Sequence, residues 1–343
     1  MQEGTGSSDA CHASMVPAAV KPRQAGIDLF RGSLVILVIL GHFAEITERH
    51  HFLTWFGYGF RMPLFIGLTG YLFNLEQARR MSPGDLLAKY YDRLILPWLA
   101  ACAITLAVTG SLSWWSPISA LVQPPYHLWF VPVILAFFFA AQVSRISPSA
   151  MLAIAIPTSI VAMFVFGVGH DVWRGGAWMP DRRFFIYPIY FALGMWVARR
   201  PNASSHEALL LLVAFIGLLW WSRLYVRPST SAEIAAVLLL CVPLIVMFPW
   251  LKRVSFDIRW LSAIGRDSLF FYLSHPLAFA IWSATGITGT LHLALSVTTI
   301  IAAWLGIRQT DSLANVLGVR SARLSPQPAP PRSAEAVSAG SAV

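Results

Sequence analysis

Arg31 and His42 stand eleven residues apart in an otherwise apolar segment, with Asp28 one helical turn before the arginine. Eleven helical steps rise about 16 Å and close on nearly a whole number of turns, so a helix presents both side chains on one face at two depths. Ionisable groups inside bilayer hydrocarbon are costly, which makes this segment the leading candidate for a functional site. Imidazole takes a proton from a hydroxyl near neutral pH and can also carry an acyl group as a nucleophile. A guanidinium clamps phosphate oxygens bidentately. The combination suits acyl transfer from a phosphate-bearing thioester, the separation of the two groups being comparable with the reach of a pantetheine arm. Each residue also has a plainer role. An arginine at the cytoplasmic start of a span satisfies the positive-inside rule, and Asp28 can cap the helix or pair with Arg31. His42, some two thirds of the way through the hydrocarbon, is harder to explain in that way.

A second cluster, Ser268, Tyr272 and His275, has spacings of four and three and so shares one face of a later apolar segment. Serine and tyrosine also hold membrane helices together, and a histidine before Pro276 can mark a kink. Between positions 169 and 183, Trp173, Trp178, Asp181, Arg182 and Arg183 mix aromatic rings with charge. That mixture fits either a sugar or interfacial anchoring. Cys11, Cys102 and Cys241 are scattered, with neither metal-ligand spacing nor a disulfide framework, so no metal is expected.

The elements that must position these groups are membrane helices. Of the 343 residues, 57% are hydrophobic and only 12% charged. The long non-alternating apolar runs predict an all-α, polytopic transmembrane bundle, since such runs satisfy their backbone in a bilayer only as helices. Ten spans are expected, at 29–47, 56–74, 94–110, 127–144, 150–168, 184–198, 207–225, 233–250, 263–284 and 290–307. Alternate loops divide the 25 Lys and Arg eighteen to seven, which places both termini in the cytoplasm. That bias accounts for the net charge of +9 without a nucleic-acid partner. Residues 1–26 and 309–343 are expected to be tails, mostly disordered, around a membrane domain at 27–308. The N-terminal stretch has no apolar core of the kind a signal peptide needs. The two halves share no pattern of interrupted helices, which weakens a transporter built on inverted repeats.

Several blocks then combine into a recognisable series. Ile27-Asp28-Leu-Phe-Arg31-Gly32 leads to Gly41-His42; Arg61-Met-Pro63 leads to Thr69-Gly70-Tyr71; Tyr91-Asp-Arg93 leads to Pro97. His127-Leu-Trp129-Phe130, Tyr190-Phe191-Ala-Leu-Gly194 and Gly265-Arg-Asp-Ser268 to Tyr272 and His275 follow in order. The sequence resembles the acyltransferase 3 family of integral membrane acyltransferases, whose hallmark is an arginine separated by ten residues from a histidine. The resemblance implies a ten-helix core in a bacterial inner membrane, acetyl-coenzyme A as cytoplasmic acyl donor, and no bound cofactor. It makes His42 and Arg31 the essential pair, with Asp28 beside them, and Arg31, Arg93 and Lys89 the donor contacts. Tyr71, Ser268, Tyr272, His275 and Trp129 are the candidates to position the acceptor or to donate to a developing oxyanion.

The implied acceptor is a hydroxyl of an exported or surface polysaccharide or its lipid-linked oligosaccharide, with mannose of a xanthan-type exopolysaccharide as one candidate. Partners would be membrane lipid and the polysaccharide assembly machinery. The chain departs from the family pattern where Tyr90 replaces a common arginine, Thr69 a serine and Arg61 a histidine. Two other readings stand beside this one: a transporter or flippase for a lipid-linked sugar, and a scaffold subunit of an export complex.

Overall fold

A computed structural model describes residues 24–47, 52–108, 110, 116–124, 128–169, 179–200 and 206–320. Among them every regular element is helical. The chain begins with α1 (Ala25–Thr47), α2 (Phe52–Tyr58) and α3 (Arg61–Leu72), followed by the short α4 (Leu75–Arg80) and α5 (Pro83–Tyr90). A wide turn at Tyr91–Ile95 leads into α6 (Leu96–Val108), α7 (Ser116–Val122), α8 (Phe130–Val143) and α9 (Pro148–Phe166). Next come α10 (Arg183–Ile186), α11 (Pro188–Ala198), α12 (Glu207–Leu224), α13 (Thr230–Val246) and α14 (Phe248–Leu251). The series ends with α15 (Arg259–Arg266), α16 (Ser268–Ser283), α17 (Gly289–Ile307) and α18 (Asp311–Val316).

Among the described residues, five stretches are long and apolar enough to cross a membrane: Ala25–Phe43, Pro83–Val108, Pro148–Phe166, Glu207–Leu224 and Gly289–Ile307. Three shorter apolar helices lie at Phe130–Val143, Arg183–Ala198 and Thr230–Val246. Leu209, Leu212, Phe215 and Leu219 of α12, and Ile154, Val161 and Phe164 of α9, are all exposed. Apolar faces of that extent would aggregate in water and are at home against lipid.

Four expected spans are interrupted. The second, at 56–74, divides between α2 and α3, the sixth, at 184–198, at Tyr187 between α10 and α11, the eighth, at 233–250, at Met247 between α13 and α14, and the ninth, at 263–284, at Asp267 between α15 and α16. Asp267 is only 3% exposed, and its carboxylate accepts from the Trp304 indole at 2.8 Å and from the Arg320 backbone N–H at 3.2 Å. The break thus places a buried acid where it ties α17 and the following chain to the core. The folded chain runs on to Arg320, past the expected domain boundary at 308, and residues 321–343 lie outside the described residues.

The wide turn before α6 has a local cause. Pro97 has no N–H to return to the carbonyl of Arg93, and the Leu96 N–H instead reaches back five residues to Tyr91. One extra residue is accommodated there, next to Arg93.

Helices α3 and α11 cross at backbone contact. A Cβ on Gly70 would overlap the Phe191 carbonyl, and one on Gly194 would overlap the Gly67 carbonyl and the Tyr71 amide. Small residues at such crossings let membrane helices gain dispersion energy along their whole length. Gly194→Val must separate the pair, because backbone cannot move aside as a flexible side chain would. We expect the detergent-solubilised variant to melt several degrees lower than wild type and to lose monodispersity on gel filtration. An unchanged melting temperature would contradict the close crossing. Trp55 of α2 and Trp221 of α12 stack at 4.3 Å, each indole donating to the other's carbonyl at 3.1 Å.

Candidate active site

α1 and α16 meet through two histidines 233 residues apart in sequence. His42 Nδ1 lies 2.7 Å from His275 Nε2, with the rings inclined by 26°. His42 is 7% exposed and His275 fully buried. The other nitrogen of His275, Nδ1, is 3.1 Å from the Phe271 carbonyl, which can only accept. With both rings neutral, one assignment satisfies both contacts: His275 donates from Nδ1 to Phe271, and His42 donates from Nδ1 to His275. Nε2 of His42 is then the basic atom of the pair. Fixing one imidazole nitrogen to set the role of the other is how a general base or nucleophile is held in the correct tautomer.

Local sequence explains the pairing. Pro276 follows His275 inside α16 and cannot donate to the carbonyl of Tyr272, so the turn that carries the histidine lacks one backbone bond. Gly41 precedes His42 on α1, and a Cβ there would strike the Arg61 guanidinium. Arg61 is 2% exposed, approaches the Leu37 carbonyl at 3.5 Å, and lies within electrostatic reach of His275. A buried cation beside the dyad favours negative charge that develops at the reacting centre. Reading the sequence alone registers Arg61 only as a departure from a family pattern; the signal that could have promoted it is a charged residue at the start of an apolar helix.

At the Arg31 end of α1 a cavity of about 430 Å³ opens between α1, α3, α8, α16 and the wide turn before α6. Arg31, Arg93, Arg266 and Arg320 line it together with Thr69, Tyr90, Ser268 and Tyr272. Among the described residues, no carboxylate lies within 4.0 Å of the charged groups of Arg31, Arg93 or Arg320. Asp92 also lines it, so the four guanidinium groups face one carboxylate there, and the net positive lining is of the kind that suits a polyanion. α15 is held tightly against α1 here, since a Cβ on Gly265 would overlap the carbonyl of Asp28. Asp28 in turn stands 3.9 Å from Arg266.

His42 and His275 are not among the residues lining this cavity. Tyr272 joins the two regions: it lines the cavity, and its ring centroid is 6.0 Å from that of His275. The cavity and the dyad therefore occupy successive positions along α1 and α16.

The other candidates from the sequence fall in different places. Ser268 lines the cavity, as Arg31 and Arg93 do. Lys89 does not; its amine donates to the Gln77 side chain at 3.0 Å and lies over the Tyr90 ring. Tyr71 is buried away from the dyad, packed on Phe248 with the Lys252 amine over its ring. The reason is geometric. Arg61, near His42, starts α3, and ten residues of helix carry Tyr71 about 15 Å towards the opposite end. Trp129 lies outside the cavity, between the Tyr187 ring at 5.4 Å and the Arg183 guanidinium at 4.6 Å. Arg183 is also paired with Asp181 at 2.8 Å. His127, Trp173 and Trp178 lie outside the described residues.

Among the described residues, no group of three or more His, Cys, Asp or Glu is arranged to hold a metal. Cys102 and Cys241 are buried.

No curated protein and no solved structure matches the chain. Residues 24–308 match the family described as "Acyltransferase domain", acyltransferase 3, which covers α1 to α17 with both the dyad and three of the four cavity arginines. The chain is therefore a membrane acyltransferase that belongs to the acyltransferase 3 family.

Proposed function

We propose that this protein is an O-acetyltransferase of a bacterial inner membrane, moving acetyl from cytoplasmic acetyl-coenzyme A to a hydroxyl of an exported polysaccharide or its lipid-linked repeat. The observation that carries the reading is the 2.7 Å contact between His42 and His275, reached through Tyr272 from an arginine-lined cavity. Coenzyme A carries its phosphates at one end of a flexible arm and its thioester at the other. The arginines suit the first, and the arm delivers the second towards the dyad.

In the proposed reaction, His42 Nε2 takes the proton of the acceptor hydroxyl as its oxygen attacks the thioester carbonyl. His275 accepts from His42 Nδ1 throughout and so holds the imidazolium that forms. Arg61 faces the negative charge of the tetrahedral intermediate. The carbon–sulfur bond then breaks, and the sulfur leaves with the proton from His42 as free coenzyme A. No covalent acetyl-protein is required.

Ser268 and Tyr272 line the cavity, which supports a role for them in positioning donor or acceptor. An acceptor anchored to lipid would present its sugar at the membrane face, and mannose of a xanthan-type polymer is the acceptor class we favour. The test is direct: purified protein in nanodiscs receives radiolabelled acetyl-coenzyme A and a lipid-linked mannose-containing repeat. Labelled polysaccharide supports the proposal, whereas movement of the lipid-linked sugar without consumption of donor would replace it with a flippase.

A further inference from the structure

The family domain ends at residue 308, yet the donor cavity does not. Ala314, Asn315, Gly318, Val319 and Arg320 supply one of its walls. This segment is packed in place. Ala314 is fully buried and Val319 is 5% exposed, both in an apolar cluster with Phe270, Phe271 and Trp304. Gly318 adopts a φ of +68°, a conformation that only glycine takes without strain, and it rests on Pro97. The Arg320 backbone N–H donates to buried Asp267, whose other carboxylate oxygen accepts from Trp304. Backbone and anchor together fix where the Arg320 side chain begins.

We propose that Asp311–Arg320 is an added wall of the donor site, in which Arg320 binds a phosphate of a coenzyme A thioester and Asp267 is the positioning residue that holds it there. The inference rests on the acetyl-coenzyme A reading above. Arg320 and Arg93 are solvent-exposed whereas Arg31 and Arg266 are half-buried. An exposed guanidinium on the lining therefore meets the part of the donor farthest from the thioester, which is the nucleotide end.

The experiment measures equilibrium binding of acetyl-coenzyme A, acetyl-dephospho-coenzyme A and acetylpantetheine to the full-length protein in nanodiscs. Arg320→Gln is expected to weaken acetyl-coenzyme A binding about tenfold and to leave acetylpantetheine binding unchanged, because that probe lacks the nucleotide phosphates. Arg320→Lys should recover part of the loss. Asp267→Ala should weaken acetyl-coenzyme A as Arg320→Gln does, and the double variant should be no weaker than either single one, since both act through one contact. Equal weakening of all three probes would mean a merely structural role for Arg320, and undiminished acetyl-coenzyme A binding in Arg320→Gln would overturn the assignment outright. Wild type that fails to bind acetyl-coenzyme A at all would instead remove the donor reading, and this inference with it.

Discussion

His42→Ala is expected to lower the proposed acetyl transfer by about 10³-fold or more, in line with the 10²–10⁴ that a positioned general base contributes. The same substitution is expected to leave donor binding nearly intact, because Arg31, Arg93, Arg266 and Arg320 line a cavity that His42 does not. It also leaves His275 able to donate to the Phe271 carbonyl, so the α16 turn keeps its internal contact. Truncating a largely buried ring still removes packing and one hydrogen bond, at a cost of about 1–3 kcal/mol. The check is single-turnover transfer from labelled acetyl-coenzyme A, run beside thermal unfolding and donor binding on the same preparation. Near-normal turnover by a folded His42→Ala protein would sink the catalytic assignment, and loss of all three properties would reveal a structural role.

The second large effect belongs to His275. His275→Ala removes the acceptor for His42 Nδ1, so the imidazole no longer has one tautomer imposed on it. We expect kcat to fall about 100-fold, with KM for acetyl-coenzyme A within about twofold of wild type. A wrong or unfixed tautomer of a catalytic histidine costs up to about 10⁴ in serine hydrolases, which bounds the effect from above. His275→Gln is the informative partner, since its amide oxygen can accept from His42 Nδ1 at a similar distance. Gln should therefore retain more activity than Ala. Equal activity of the two, or a change confined to KM, would show that His275 does not act by orienting His42.

Much of the architecture is legible in hydropathy, because a helix that faces lipid must be apolar over its whole length. The expected segments 150–168, 207–225 and 290–307 match α9, α12 and α17 to within a few residues, while among the described residues five stretches, not ten, are long and apolar enough to cross a membrane. The breaks are less visible. Nothing in the average hydropathy of 56–74 marks the interruption after Tyr58, and Asp267 reads as a single polar residue until its partners on α17 and at Arg320 are known.

The site divides in the same way. His42 and His275 each stand out as imidazoles in apolar helices, but which helices touch is a property of tertiary packing. A pairing across 233 residues is not encoded in either local pattern. Arg31 and Arg93 could be read as cations beside apolar runs. Arg320 could not, because it follows the last apolar run and is brought to the cavity by Val319, Gly318 and Asp267. Tyr71 has a conspicuous motif, but its place along α3, about 15 Å from Arg61, sets it against Phe248 and Lys252.

The turn at Tyr91–Ile95 carries a consequence for how this chain tolerates change in length. A helix advances about 100° per residue, so removing one residue there would swing everything upstream through more than a quarter revolution relative to α6. Arg93 would leave the cavity while both flanking helices stayed intact. A change of length between Tyr90 and Pro97 would thus act on the cavity through Arg93 without touching the residue itself.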